Sequence, residues 1–547
     1  MVRQAGEKME MLELVKQQIQ MNRWKNQVGT QVTLDDDFII PDTMSDADQI
    51  ILSAGEIQLE PLKIQDGRVL VRGKLDFHVL YRKEEGGMQT LGGSVPFEEP
   101  VNVPDVNAQD DVTAGGYLED LNAELIHSRK FGIRAVVRLE IKAETKMDTE
   151  VTVDIGDLGA EETENPPRLF LQHKKLEVAS LVFHRKDTWR MKEELSLSPS
   201  KPAIGKLLWT QISPGNMQVR PDDGKVRLEG VLAVFALYEG EDGEETVSWL
   251  EENIPFSGEL EMPGCRPDLI LAVSPRLVHR GIEEKPDYDG EMRQVEVDAV
   301  IELDVRLYEE RELEILSDLY STNREALAEF GKACFDRILT HNTGKCRVSE
   351  KMDAAGKIGK VLQICHSSGN VKLDAVEAGD DVLAIDGALE VKLLCLTDDD
   401  ERPVQSVTEL FPFHYDADAP GIRPDSIWYL DSSVEQLTAV MSGGSLAEIK
   451  AVVNLDVLIL QPVSCPVIER VRIEEADRRK LRELPGIVGY LVQENDTLWE
   501  IAKRFHTTPE SIMEENGLGS EEIHAGDCLI LVKEIDRQAV TKPEQPS

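Results

Sequence analysis

The side chains that could perform catalysis in this chain are two cysteine–histidine combinations. Cys365 directly precedes His366, and Cys346 follows His341 by five residues. A thiol near an imidazole suits a nucleophile activated by a general base, or two ligands of a zinc site. Neither combination has metal-ligand spacing, and the equivalent positions of the related segments described below carry no cysteine–histidine combination. We therefore predict core or surface residues here, with no catalytic residue and no metal site.

Two Gly-Lys pairs and one acidic run are the remaining candidates for chemistry. Gly344-Lys345 and Gly359-Lys360 resemble part of a phosphate-binding loop, but no glycine precedes either pair at the required spacing and no serine or threonine follows. The acidic residues of 398–401 could act as general acid and base only in a rigid site, and they lie in a predicted hairpin tip. We predict turns and solvated loops at all three places, and no cofactor.

Residues 490–532 have the most specific spacing in the chain. The apolar residues of a first predicted helix recur at helical spacing: Leu498, Ile501, Ala502 and Phe505. Asp496 or Thr497 can cap this helix, and Thr508 followed by Pro509 begins a second one. With an apolar strand before the helices and another after them, this segment predicts a small βααβ module.

The rest of the chain contains one pattern three times. Gly73, Gly230 and Gly387 each lie inside an apolar segment and are 157 residues apart. A proline–phenylalanine pair follows each glycine: Pro96-Phe97, Pro255-Phe256 and Pro412-Phe413. Three closing segments then begin with alanine: Ala135-Val136-Val137, Ala299-Val300-Ile301 and Ala451-Val452-Val453. A repeat of this length indicates a duplicated domain rather than a solenoid unit.

Each copy predicts antiparallel strands with one buried face. Around Gly73, positions 69, 71, 75, 77 and 79 are apolar while the residues between them are mostly polar. A glycine inside such a strand indicates a bulge or a close backbone approach, and a proline indicates a strand end or an edge strand. Residues 12–15 and 176–178 are compatible with helix, so we expect one or two short helices in each copy. The predicted fold is mainly β: three tandem β-sandwich-like repeats followed by the βααβ module.

These patterns give a domain map. The predicted boundaries are 1–155, 166–312 and 318–466 for the repeats, 467–488 for a charged linker, 489–533 for the module and 534–547 for a polar tail.

Composition excludes some partners. The chain has 60 basic and 103 acidic residues, a formal net charge of −43, and the acid is spread along its length. Nucleic acid and anionic membranes are therefore not expected partners, because both are recognised through clustered Lys and Arg. The seven cysteines are odd in number and scattered, which is typical of reduced thiols. We find no apolar signal peptide and no membrane span in the sequence, so we expect the chain to stay inside the cell that makes it.

The C-terminal module resembles a LysM domain. Asp496-Thr497-Leu498, Ile501-Ala502 and Asn516-Gly517-Leu518 match the family's pattern, whereas Asn495 replaces a usual glycine and Asp527 a common glutamine. LysM domains usually bind N-acetylglucosamine polymers in a shallow groove between two loops. The resemblance implies a groove with two sides, formed by Asn495, Asp496, Thr497 and Leu498 on one side and by Asn516, Leu518, Ile523 and His524 on the other. Trp499 is either a core residue or a contact residue beside the groove.

The repeats resemble SPOCS domains of spore-forming bacteria, over most of residues 30–465. SPOCS repeats followed by one LysM domain resemble the family of SipL-like spore-coat morphogenetic proteins. In that family the LysM domain binds the coat-basement ATPase, stage IV sporulation protein A, in the mother-cell cytoplasm at the forespore surface.

Two functions remain open from the sequence. The first is a non-enzymatic spore-coat scaffold whose LysM domain docks on that ATPase and whose repeats bind other coat proteins or a second copy. The alternative is a protein that binds peptidoglycan or another N-acetylglucosamine glycan. The module's nine acids against three bases, and the expectation that the chain is not exported, favour the first.

Overall fold

The computed structural model describes residues 10–156, 167–241, 247–442, 445–475 and 485–533. Residues 476–484 of the predicted linker and the predicted polar tail, 534–547, lie outside the described residues, as do residues 157–166 between the first two repeats. The strands of the first repeat are β1 (Glu10–Met11), β2 (Leu14–Ile39), β3 (Ala47–Leu59), β4 (Lys63–Gln65), β5 (Arg68–Lys83), β6 (Met88–Asn102), β7 (Asp111–His127) and β8 (Lys130–Ile155).

The other repeats follow the same order. The second comprises β9 (Leu169–Ser196), β10 (Ile204–Asp222), β11 (Lys225–Gly240), β12 (Val247–Glu261), β13 (Ile270–Pro286) and β14 (Met292–Ser321). The third comprises β15 (Glu325–Asp353), α1 (Ala354–Ile358), β16 (Val361–Ala378), β17 (Val382–Thr397), β18 (Val404–Asp418), β19 (Ile427–Ser442) and β20 (Leu446–Glu474). The C-terminal module comprises β21 (Ile487–Leu491), α2 (Leu498–Phe505), α3 (Pro509–Asn516) and β22 (Cys528–Val532). This confirms the predicted fold class.

Each repeat is a sandwich of two antiparallel sheets. A narrow sheet has β5 between β3 and β6, and a wide sheet has β8 between β2 and β7. Val71, Leu75 and Phe77 of β5 are fully buried, as are Ala135 and Leu139 of β8, and together they form one core. The alternation read from the sequence therefore identifies the buried face correctly.

The glycine and the proline–phenylalanine pair of each repeat are cross-strand partners. Gly73 lies opposite Phe97, Gly230 opposite Phe256 and Gly387 opposite Phe413. A Cβ atom on Gly73 would approach the Phe97 ring to 2.8 Å and the backbone oxygen of Gln58 to 2.6 Å. The predicted close approach is confirmed. The proline lies within an edge strand, where its missing N–H breaks no ladder.

The helix predictions for the lead-in segments are wrong. Residues 176–178 lie in β9, and residues 12–15 run into β2. These strands are long because they continue past the sandwich and pair there with β14 and β8. α1 is the one helix in the described part of the repeats. β20 likewise continues to Glu474, into the stretch predicted as linker, because β15 pairs with it that far.

The three repeats close into a ring with pseudo-threefold symmetry. Leu80, Leu237 and Leu394 occupy equivalent positions and meet in one buried cluster on the outer faces of the narrow sheets. Beyond the sandwiches, the equivalent residues Val151, Ile315 and Val467 meet in another. Four residues further along the same strands, the equivalent residues Ile155, Leu319 and Val471 meet in a third cluster. β1 closes the ring by pairing with β20, so that the first and third repeats share backbone hydrogen bonds.

A buried polar group joins the repeats between these clusters. Arg306 donates to Glu144 at 2.6 Å and to the hydroxyl of Tyr429 at 2.9 Å, so one side chain touches all three repeats. Trp24 and Tyr308 complete the group through their own hydrogen bonds to Tyr429. Burial by itself lowers the pKa of Arg306, but the oxygens of Tyr429, Glu144 and Tyr308 outweigh it and raise that pKa above its ordinary value. The guanidinium therefore stays charged and fixes the register of the repeats.

Candidate binding surfaces

The two helices of the C-terminal module begin at the predicted caps. Thr497 accepts a hydrogen bond from the backbone N–H of Glu500, and Thr508 accepts one from Ser511, with Pro509 in the first helical turn. Side chains of α2 and α3 pack with β21 and β22 into a small core whose members are mostly apolar. Both caps satisfy N–H groups that a helix start otherwise leaves free.

The first loop of the predicted groove is fixed from within. Asn495 has a φ of 69°, a left-handed conformation that favours glycine and tolerates asparagine. This explains how Asn495 replaces the usual glycine. The Asp496 carboxylate accepts hydrogen bonds from the backbone N–H of Gln493 and the hydroxyl of Tyr490, both at 2.8 Å. Those bonds lower the pKa of Asp496, so the carboxylate stays ionised and holds the loop.

The second loop is held by Asn516 and Asp527. The Asn516 amide donates to the carbonyls of Ile512 and Ile530 and accepts from the Ile530 N–H, which ties α3 to β22. Asp527 accepts from the backbone N–H of His524 at 2.8 Å. The two loops meet because Val492 exchanges backbone hydrogen bonds with residues 526 and 527.

The predicted groove residues thus divide into groups. Asn495, Thr497 and His524 are exposed at the rims, and Asp496, Asn516, Leu518 and Ile523 are partly buried. Leu498 is 2% exposed and packs in the core of the module, so its side chain has no surface to offer a ligand. Several of the polar members already bond within the module, which leaves Asn495 and His524 as its freest polar side chains at the groove.

Trp499 packs at the edge of the module's core, where Tyr320 of the second repeat joins the same apolar cluster. Its ring meets Tyr320 of the second repeat edge-on at 4.8 Å, and its indole N–H donates to Asp318 at 2.8 Å. Lys503, one turn further along α2, also contacts Asp318. In this structure Trp499 contacts another part of the same chain, and its role in binding a partner stays a prediction.

One apolar surface escaped the sequence analysis. Ile487, Leu491 and Ile530 are 69%, 57% and 49% exposed on the outer face of the β21–β22 hairpin. Gly489 lies opposite Ile530, so among the described residues β21 places no side chain over the middle of this face. The signal was present, because both strands are apolar at odd and even positions alike, whereas a half-buried strand alternates.

A charged cleft lies where the wide sheets face one another. It has a volume of about 130 Å³ and is lined by residues of all three repeats. Glu140, Asp304 and Asp456 occupy equivalent positions around it. Burial, together with the charge of Asp456, raises the pKa of the neighbouring Asp431 to about 7. No group of three potential metal ligands was found among the described residues.

The candidates for thiol chemistry have structural roles. Cys365 is 2% exposed, and burial raises its pKa to about 12, so it is a thiol rather than a nucleophilic thiolate. His366 stacks on Phe235 at 4.1 Å and bonds to Glu251. All seven cysteines are free, as the sequence analysis predicts. Asp399 accepts two backbone N–H groups in a turn, which confirms a loop.

These features define a class: a closed array of three β-sandwich repeats carrying a small binding module at one end. Comparison with family models matches the description "SipL, SPOCS domain" to residues 46–126, 203–282 and 360–442, and the LysM domain to residues 490–531. The chain therefore contains three SPOCS domains and a C-terminal LysM domain.

The SPOCS matches have a structural meaning. Each spans the narrow sheet and the first wide-sheet strand that follows it, β3–β7, β10–β13 or β16–β19. The other two strands of every wide sheet lie outside the matched residues. No curated protein and no solved structure matches the chain. Within the described residues, no helix is both long and apolar enough to cross a membrane.

Proposed function

We propose that this protein is a non-enzymatic scaffold for spore-coat assembly. Its LysM domain docks on the coat-basement ATPase, stage IV sporulation protein A, at the forespore surface in the mother-cell cytoplasm. The presence of SPOCS repeats and a LysM domain in one chain supports a role in sporulation. The repeats supply further surfaces for other coat proteins or for a second copy.

The observation that carries the docking role is the open apolar face of the hairpin. Three large aliphatic side chains there, Ile487, Leu491 and Ile530, are between 49% and 69% exposed. Contact with a protein would remove them from water, which favours association by ~25 cal/mol for each Å² buried. A sugar polymer offers mainly hydroxyl groups and gains little from such a surface. The hairpin face and the adjoining loops with Asn495 and His524 therefore form the proposed docking surface.

The decisive experiment measures binding of the purified chain to the purified ATPase. Ile530→Asp places a charge at the centre of the hairpin face and should weaken binding by roughly tenfold or more, as expected for an interface hot spot. Leu410→Asp is the matched control, because Leu410 is a leucine 53% exposed on an edge strand of the third repeat. Unchanged binding by Ile530→Asp would sink the proposed face, and no binding by the unaltered chain would sink the docking role.

Glycan binding is the alternative, favoured by the LysM match and by the exposed polar side chains at the groove rims. His524→Ala tests this groove because it removes an exposed polar side chain at the rim of the second loop. Micromolar binding of N-acetylglucosamine oligomers that is lost in His524→Ala but kept in Ile530→Asp would establish this function instead.

A further inference from the structure

Helix α2 packs one face in the core of the module and contacts the second repeat with another. Trp499 and Lys503 are four residues apart, so they share one side of the helix, and His506 is the residue that caps its C-terminal end. Leu498, Ile501 and Ala502 belong to the other side and are buried within the module. We call Trp499, Lys503 and His506 the α2 stripe.

The stripe lies on the far ends of two strands of the second repeat. Tyr320 at the end of β14 stacks on Phe170 of β9 with ring centroids 5.2 Å apart. The Tyr320 hydroxyl donates to the backbone oxygen of Thr507 at 2.9 Å. Asp318 receives the indole N–H of Trp499 at 2.8 Å and the ammonium of Lys503 at 2.6 Å. We call Phe170, Asp318 and Tyr320 the pad.

The contact is specific but modest. Lys503 and Asp318 keep 42% and 20% of their side-chain surface exposed, and ion pairs in contact with water contribute only about 0–1 kcal/mol. Tyr320 is buried in one apolar cluster with the core of the module, and the hydrogen bonds from Tyr320 to Thr507 and from Trp499 to Asp318 accompany the ion pair. Interfaces of this kind between domains of one chain open and close readily unless they are large and apolar.

We propose that the stripe and the pad form a reversible latch, and that the docking partner competes with the pad for the stripe. This rests on the proposed docking function. The pad also defines the chemistry of the competing site: a carboxylate next to an aromatic ring, which would accept from the indole N–H of Trp499 and the ammonium group of Lys503 and contact the Trp499 ring. With the latch closed, only the hairpin face is open to the partner. With the latch released, the stripe adds a second contact.

The first test examines the latch without a partner. Asp318→Ala removes the acceptor of both Trp499 and Lys503, so backbone hydrogen exchange in α2 and at the end of β14 should speed up. Tyr320→Phe, which loses the bond to Thr507, should change exchange in the same direction. Glu312→Ala is the matched control, since it removes an exposed ion pair with Lys175 from the same strand. Unchanged exchange in both test variants would overturn the latch.

The second test adds the coat ATPase. Release of the latch removes a competing intramolecular contact, so Asp318→Ala should bind the ATPase roughly three- to tenfold more tightly than the unaltered chain. Lys503→Asp combined with Asp318→Lys restores an opposite-charge pair and should return exchange toward the original rate. If Asp318→Ala speeds up hydrogen exchange but does not bind the ATPase more tightly, the proposed competition is wrong and the latch itself is kept. No ATPase binding by any variant would overturn the docking function and the competition, leaving the exchange result to decide the latch.

Discussion

At the scale of single residues, the ring of repeats encloses a carboxyl group whose pKa differs strongly from its value in water. Asp431 lies directly across the strand pair from Asp456, beside the charged cleft. Two carboxylates in this arrangement repel, and the surrounding protein disfavours charge on the more enclosed one. A raised pKa is the consequence, and it makes Asp431 a source of pH dependence.

We expect Asp431→Asn to stabilise the protein in mild alkali and not in acid. The pKa of Asp431 is raised from 3.8 to about 7, so the folded state keeps its proton while the unfolded state loses it. Stability from this group is therefore intact below pH 4 and falls as the pH rises through 7. The variant should gain about 1–3 kcal/mol at pH 8 and nothing near pH 4, measured by urea unfolding.

Glu252→Gln provides the control, because Glu252 is an exposed acid on β12. Its unfolding curves should follow those of the unaltered protein at both pH values. Parallel pH profiles for Asp431→Asn and the unaltered protein would contradict the explanation.

At the scale of elements, the two most repeated sequence features turn out to be one contact. Each central glycine makes room for the phenylalanine on the neighbouring edge strand, and the ring covers the backbone that the glycine leaves bare. The contact recurs in all three narrow sheets. The opposite strand is irregular near two of these glycines, with a bulge beside Gly230 and another beside Gly387.

Gly73→Ala should therefore destabilise the protein by about 1–3 kcal/mol, the usual cost of overpacking. The new Cβ would lie 2.6 Å from a backbone oxygen, which a side-chain rotation cannot relieve. Gly29→Ala is the matched control on β2, since a Cβ there meets nothing within 4 Å. Thermal unfolding would show the difference, and equal midpoints for the two variants would refute the close-contact explanation.

At the scale of the whole molecule, the three repeats are parts of one body. Equivalent leucines from the three narrow sheets share one buried cluster, and the wide sheets share two more. A ring of this kind gives every repeat two neighbours, so no repeat is terminal. Surfaces that an isolated sandwich would leave open are covered by its neighbours.

Leu80→Ala, Leu237→Ala and Leu394→Ala should each cost about 2–5 kcal/mol, the range for a large-to-small change in a core. All three leucines are at most 2% exposed. Each variant should lower one common unfolding transition, seen alike by circular dichroism and tryptophan fluorescence. Leu362→Ala, at a leucine 60% exposed, should change it little. A variant that unfolds one repeat ahead of the others would contradict the single body.

The features of the fold that the sequence alone predicts are those that depend on local periodicity. The 157-residue spacing identified three repeats, strict alternation identified the buried faces of β5 and β8, and caps at Thr497 and Thr508 defined the LysM helices. These features depend on residues near one another in sequence, which is why they could be predicted. The cleft, the latch and the burial of Leu498 in the core could not be predicted in this way.

The tertiary structure alone decided how the repeats meet. Alternation states that a face is buried but not what buries it, and the partners of Leu80 lie 157 and 314 residues away. The sequence does contain one local sign of this contact. Leu80, Leu237 and Leu394 are apolar at positions where the alternation predicts an outward-facing polar residue. Those residues face the axis of the ring, where a second apolar surface is needed because two other repeats cover it.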